Sequence, residues 1–206
     1  MGFLDVILGR SKPVRPDLDQ LFALPSAAVT LRAGAGFAPT GLGSVCFASV
    51  EGGAFERIRR DVGELLDADA ERDGEPVEFS RDSYGYSWLL ARRPADDTAA
   101  LVNDLHAVNT LLQEGGFGPQ LLCSLMGFRD EGRRPLALVY LYKRGTFYPF
   151  APVAGGDGAV VADKRAAVAD KRDNELELQV RALLADDLRI EEDLGRWFPV
   201  WGAPGL

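Results

Sequence analysis

Histidine occurs once in this chain of 206 residues, and cysteine and methionine twice each. A single histidine, His106, leaves little room for Ser-His-Asp or Cys-His chemistry, and no nucleophile-elbow motif supports either. It stands beside Val102, Asn109 and Gln113 on the rim of a predicted helix. Structural zinc needs several Cys and His at close spacing, which the chain does not have. The cysteines, Cys46 and Cys123, both fall inside apolar strand-like runs. They read as small buried hydrophobes of a reducing cytoplasm, and spacing alone does not support a disulfide between them. No apolar run approaches the ~18 residues of a membrane-crossing helix. A signal peptide is not expected either, because the basic residues follow the first apolar segment rather than precede it. Positive charge is also scarce: the net charge is −8. General nucleic-acid binding, which relies on basic patches against phosphate, is therefore not expected.

The glycine-rich stretches lack the completing residues of known phosphate loops. Gly34-Ala35-Gly36 and Gly41-Leu42-Gly43 have neither the third glycine of a dinucleotide loop nor a Gly-Lys-Ser/Thr. Asp186-Asp187 and Glu191-Glu192-Asp193 are acidic enough for a hard cation but lack the alternating spacing of a calcium loop. They read as a solvated acidic turn. No catalytic, cofactor-binding or metal-binding residue is assigned, and the chain is expected not to be an enzyme. The one catalytic route left open is a carboxylate pair brought together by folding.

What the chain has is an ordinary globular balance, 47% hydrophobic and 26% charged. A chain of this length buries about 70% of its unfolded surface without needing staples. Its centre of gravity is 117–153, where the apolar runs Leu121–Phe128 and Leu136–Tyr142 flank the polar turn at 130–135. Both runs are apolar on both faces, so this β-hairpin is predicted in the middle of a sheet. Ahead of it, 28–32 reads as a short strand, 34–43 as a loop and 44–50 as a strand. Asp17–Phe22 is predicted to add one helical turn before Pro25. A helix is predicted over 54–67, with Phe55, Ile58, Val62, Leu65 and Leu66 on one face. Val77–Ser80 and Tyr86–Arg92 form a second hairpin. Tyr84, Tyr86 and Trp88 alternate there, which suits core packing or a ligand-stacking platform. A helix over 98–114 is capped by Asp96, Asp97 or Thr98, buries Leu101, Leu105, Val108 and Leu112, and stops at Gly115-Gly116. A last helix runs over 173–186.

Helix-then-hairpin units thus recur at 54–92 and 98–143. They predict an α+β fold: an antiparallel sheet built from hairpins separated by helices, with the helices mostly on one face. The expected organisation is an N-terminal amphipathic segment at 1–16, an α+β domain at 17–153, a flexible loop or insertion at 154–172, and a C-terminal helix and aromatic tail at 173–206 packing on the same domain. The insertion carries VADKR twice, at Val161–Arg165 and Val168–Arg172.

Both ends are apolar. Phe3, Leu4, Ile7 and Leu8 share one helical stripe, followed by Arg10, Lys12 and Arg15. Burying four such side chains yields ~1.5–3 kcal/mol each, while ordering the segment costs ~1–2 kcal/mol per residue. The stripe would therefore hold a membrane only weakly by itself. At the other end Trp197, Phe198 and Trp201 surround Pro199. Aromatics this close to a terminus either fold back on the body or dock a partner.

Seven segments carry a resemblance: MGFLDVILGRSKPVRPDLDQLFALPSAAVTL, GLGSVCF, LVNDLHAVN, GFGPQLLCSL, LALVYLYKRGTFYPFAP, NELELQVRALL and RWFPVWGAPGL. Together they resemble the PspA-associated protein PspAB family of actinobacteria, over nearly the whole chain except the doubled VADKR. The resemblance implies an accessory of a phage-shock-type envelope-stress response. Its partner would be a PspA-like coiled-coil protein working at the inner face of the membrane. A non-enzymatic interaction protein, cytoplasmic or peripheral at that face, is the expectation. Its contacts would be Phe3, Leu4, Ile7, Leu8, Arg10 and Lys12, with Trp197, Phe198 and Trp201 as a second surface. No catalytic residue follows from the resemblance, and a homo-oligomer has no support in the sequence. A peptide-binding or secretion-chaperone-like module is the alternative, and a small-molecule enzyme the third.

Overall fold

The computed structural model describes residues 16–49, 52–67, 77–82, 84–153 and 171–206. Its strands are β1 (Ala38–Ala48), β2 (Glu78–Arg81), β3 (Tyr86–Arg92), β4 (Leu121–Arg129), β5 (Pro135–Leu141) and β6 (Thr146–Phe150). They form one antiparallel sheet in the order β2-β3-β1-β4-β5-β6. The helices are α1 (Leu24–Ala35), α2 (Gly53–Asp67), α3 (Thr98–Leu112) and α4 (Asn174–Leu183). The α+β class expected from alternating helices and hairpins is the observed one, and the β4–β5 hairpin lies inside the sheet. The two helix-then-hairpin units flank β1, which pairs with β3 on one side and β4 on the other.

Three local expectations need correction. The stretch 28–32 is not a strand but the middle of α1, preceded by a 3-10 turn over Leu18–Ala23. Pro25 occupies the first turn of that helix, where its missing N–H costs nothing, so it opens the helix rather than ending one. Leu24, Ala27, Ala28 and Leu31 then fall on one buried stripe, and Gly36 closes the helix in the left-handed conformation. Secondly, β1 begins at Ala38, inside the predicted loop, because a register shift between Pro39 and Gly43 lets Gly-rich sequence continue the pairing. Thirdly, 146–150 forms a strand of its own, with Pro149 tolerated at the sheet's edge. In α2, Val62 and Leu66 are buried while Leu65 is exposed. The side chains of Phe55 and Ile58 lie outside the described residues.

Alternation along the strands gives the sheet two apolar faces. Val45, Phe47, Leu89, Met126, Leu138, Tyr140 and Phe147 belong to a core that includes Leu31, Leu101, Leu105, Val108 and Val180 of the helices. Burial pushes the Tyr140 hydroxyl up to about 12, and it donates to the carbonyl of Asp17 at 2.8 Å. The opposite face presents Cys46, Trp88, Cys123, Leu125, Val139, Tyr148 and Phe150. Among the described residues, no helix covers that side. Trp197 and Ala203 of the C-terminal tail, with Trp201 and Leu206 packed against them, do so instead.

Helix α3 docks through a buried ion pair. Asp97 is the residue that caps it, accepting from the Ala100 N–H at 3.0 Å. Two turns further in, Asp104 takes Arg93 in a two-pronged contact, Nε to Oδ2 at 2.8 Å and Nη2 to Oδ1 at 2.9 Å. The side chains are only 3% and 5% exposed. Arg93 is placed there by its own N–H, which donates to the Gly41 carbonyl at 2.9 Å. Gly41 has φ +76°, and a Cβ at that position would collide with the Arg93 carbonyl oxygen. Asp104→Ala strands the guanidinium in the interior, so a loss of about 3–5 kcal/mol is expected in denaturant unfolding. A loss below 1 kcal/mol would show that water reaches Arg93 freely.

Candidate functional site

The tail crosses the sheet as a strap, held by buried polar groups. Past α4 the chain runs beside β6: the Phe147 N–H donates to the Arg189 carbonyl and the Glu191 N–H to the Phe147 carbonyl, both at 2.8 Å. Glu191 is thereby drawn inward, which corrects the solvated acidic turn read from the sequence. Its Oε2 accepts from Arg144 Nε at 3.0 Å and Thr146 Oγ1 at 2.8 Å, and its Oε1 from the Asp193 N–H at 3.2 Å. Burial alone would raise its carboxyl, but the bonds from Arg144, Thr146 and Asp193 outweigh it and hold the group below 4.5. The Glu191 carbonyl in turn accepts from the Trp197 indole N–H at 3.0 Å. Trp197 is 5% exposed. It is spent on the fold, which takes it out of the surface contacts expected of the tail.

A second hub sits beside it. Glu177 of α4 accepts from the Ala151 N–H at 2.8 Å and from Arg172 Nε at 3.0 Å. The same guanidinium donates through Nη1 to the Trp197 carbonyl at 2.6 Å and lies over the Phe150 ring. Tyr148 Oη donates to the Phe198 carbonyl at 2.7 Å. Burial raises the Tyr148 hydroxyl, so it stays a donor. At the far end of the strap, Gly127 of β4 has no side chain because the Gly205 carbonyl oxygen occupies that space.

The strap leaves part of the face uncovered. Between it and the β2–β3 turn lies a cavity of about 760 Å³. Its floor is one cross-strand row, Trp88–Cys46–Cys123–Leu141, set by the registers of β3, β1, β4 and β5. Tyr84 and Tyr86 form one wall, and Phe198, Val200 and Trp201 the other. Lys143, Arg144 and Arg196 stand on the rim. Asp82 fixes the first wall: Oδ1 accepts from the Tyr84 and Tyr86 N–H groups and Oδ2 from the Trp88 indole, all at 2.9 Å. Burial works against the charge, yet those bonds keep the Asp82 carboxyl below its ordinary 3.8.

A cavity of this kind favours apolar and aromatic groups, with cations at its edge for a negative end. Its carboxylate and its cysteine thiol are not poised for catalysis. Asp82 accepts three hydrogen bonds. The bond to Cys123, together with burial, pushes the Cys46 thiol up. His106 lies elsewhere, against the Phe22 ring at 4.8 Å and 3.6 Å from Asp19. Among the described residues, no group of three or more His, Cys, Asp or Glu is placed to hold a metal ion. Nor is any helix among them long and apolar enough to cross a membrane.

Of the surface residues expected from the sequence, Phe198 and Trp201 line the cavity and Phe198 is 57% exposed. Phe3, Leu4, Ile7, Leu8, Arg10 and Lys12 lie outside the described residues. Of the Tyr84, Tyr86, Trp88 alternation, read from the sequence as core packing or a stacking platform, Trp88 is buried in the floor, whereas Tyr84 and Tyr86 are exposed on the wall. Lys143, Arg144 and the cysteine row carried no signal, since only strand register brings them together.

A family model described as PspA associated protein B matches residues 1–205. No curated protein and no solved structure matches the chain.

Glu191 predicts how the strap responds to acid. Its carboxyl is held below 4.5 in the folded chain, so its stabilising contribution is complete above that pH and disappears as pH falls through the lower folded value. Tryptophan emission should therefore report strap release only below about pH 4.5. Glu191→Gln should lose about 1.5–3 kcal/mol at neutral pH and show a shallower acid slope. An unchanged slope would assign the acid response to other carboxylates.

Proposed function

The chain belongs to the PspA associated protein B family, matched over residues 1–205, and on that premise we propose that it is a non-enzymatic accessory protein that binds its PspA partner through the aromatic cavity. The cavity supports this reading because it is apolar and some of its wall side chains are left exposed by the fold. Tyr84 and Phe198 are 72% and 57% exposed. Aromatic anchors flanking a concave apolar floor are the usual makings of a binding hot spot. The rim cations Lys143, Arg144 and Arg196 suit acidic side chains beside an apolar stripe on the partner helix. In this reading the N-terminal stripe of Phe3, Leu4, Ile7 and Leu8 supplies a second contact, weak alone, at the inner face of the membrane where the partner works. The protein acts in the cytoplasm, in an envelope-stress response.

Titration calorimetry of the full-length chain against its PspA partner tests the cavity. Phe198→Ala and Tyr84→Ala should keep the melting temperature and each cost about 1–2 kcal/mol of binding, roughly tenfold in Kd. Unchanged affinity in both variants would move the partner surface off the cavity. Deleting residues 2–9 should reduce co-sedimentation with anionic vesicles and leave the calorimetric titration nearly unchanged. Equal vesicle binding would remove the N-terminal contact.

A further inference from the structure

The cysteines are distant in sequence and adjacent in space. Cys46 of β1 faces Cys123 of β4 directly across the sheet. Facing residues of an antiparallel pair have Cα atoms about 4.5–5.5 Å apart, inside the range of roughly 4.4–6.8 Å that a disulfide spans. Both are free thiols. Both side chains lie on the same face of the sheet and belong to one apolar cluster, and the proximity of Cys123, with burial, pushes the Cys46 thiol up. A register shift between Cys46 and Phe47 loosens the ladder at that point, and the strand can adjust without losing its pairing. Although both residues are largely buried, both line the cavity, which gives small reagents a route to the sulfurs.

We propose that Cys46 and Cys123 form a reversible modification site, closing to an intramolecular disulfide by exchange with a low-molecular-weight disulfide that enters the cavity. One cysteine, as its thiolate, attacks the small disulfide; the S–S bond of that molecule breaks and the first small thiolate leaves. The second cysteine sulfur attacks the mixed disulfide, forming the Cys46–Cys123 bond and releasing the second small thiolate. The two thiol protons end on the two released thiols, and two electrons pass from the cysteine pair to the reagent. The hydrogen bond and burial that keep Cys46 protonated make the reaction slow, which suits a site that responds to sustained rather than passing oxidation. Trp88 stands next to Cys46 in the same row and makes the change visible, because a neighbouring disulfide quenches indole emission. The site is defined by register alone and does not depend on which partner the cavity receives.

The experiment exposes the reduced, folded full-length chain to bis(2-hydroxyethyl) disulfide and follows intact mass, free thiols and tryptophan emission. The expected result is a mass lower by two hydrogens with no adduct retained, a fall from two free thiols to none, and lower emission, all reversed by dithiothreitol. The species stays a single chain on non-reducing electrophoresis. In Cys46→Ala or Cys123→Ala the two-hydrogen loss disappears. Wild-type chain that keeps both thiols titratable until it is unfolded overturns the proposal, and so does a disulfide that joins two copies. Because the wild-type chain carries the main readout, a variant that fails to fold does not obscure the answer.

Discussion

A sheet that is apolar on both faces has to be covered twice. Everything distinctive about this chain follows from that requirement. Among the described residues, four helices meet it on one side. On the other, the described residues supply no helix, only the last ten or so residues of the chain, and these are held down by polar anchors rather than by area alone. Glu191 and Glu177 are the two anchors. Each carboxylate gathers an arginine and a backbone N–H, and both hubs converge on Trp197, one through its indole and the other through its carbonyl. Buried carboxylates paired in this way do little for stability relative to an apolar core, but they restrict the placement of the groups they join. A strap of irregular backbone needs that kind of placement.

The cavity is the part of the second face that the strap does not reach. Its position is a consequence of strand order. Because β1 lies between the two hairpins, its cysteine is flanked by Trp88 on one side and Cys123 on the other, and the row continues to Leu141. The floor is therefore assembled from four strands, while the walls come from the β2–β3 turn with the first residue of β3, and from the strap. Rigid floor and loop-borne walls are a common division of labour in binding sites, since loops can present large side chains that a packed strand cannot. Asp82 stiffens one wall from within by accepting from Tyr84, Tyr86 and Trp88 together.

Much of the fold was legible from residue patterns, and the failures have physical causes. The stripe Leu101, Leu105, Val108, Leu112 identified α3 because helical spacing over fifteen residues has few competing explanations. Ala28–Arg32 was misread because a run as short as Ala-Val-Thr-Leu-Arg fits either period, and the arbiter lay outside the window: Leu21 and Leu24 upstream complete the helical stripe. β6 was missed because Pro149 argues against a strand unless the strand is known to be at an edge. Glu191 looked solvated because an acidic run is solvated on most surfaces. Its burial depends on Arg144, 47 residues away.

Composition and periodicity by themselves determined the class of fold, the two-sided apolar hairpin at its centre and the aromatic character of the tail. These are local properties, set by which side chains recur at intervals of two or of three to four. Tertiary structure alone decided that Trp197 turns inward while Phe198 turns out, that Cys46 meets Cys123, and that a cavity is left between tail and turn. Such facts depend on strand register and on contacts between residues tens of positions apart. A shift of one residue in the register of the strand that carries Cys46 would turn that side chain to the helix-covered side and away from Cys123, and no window of sequence contains the information that forbids it.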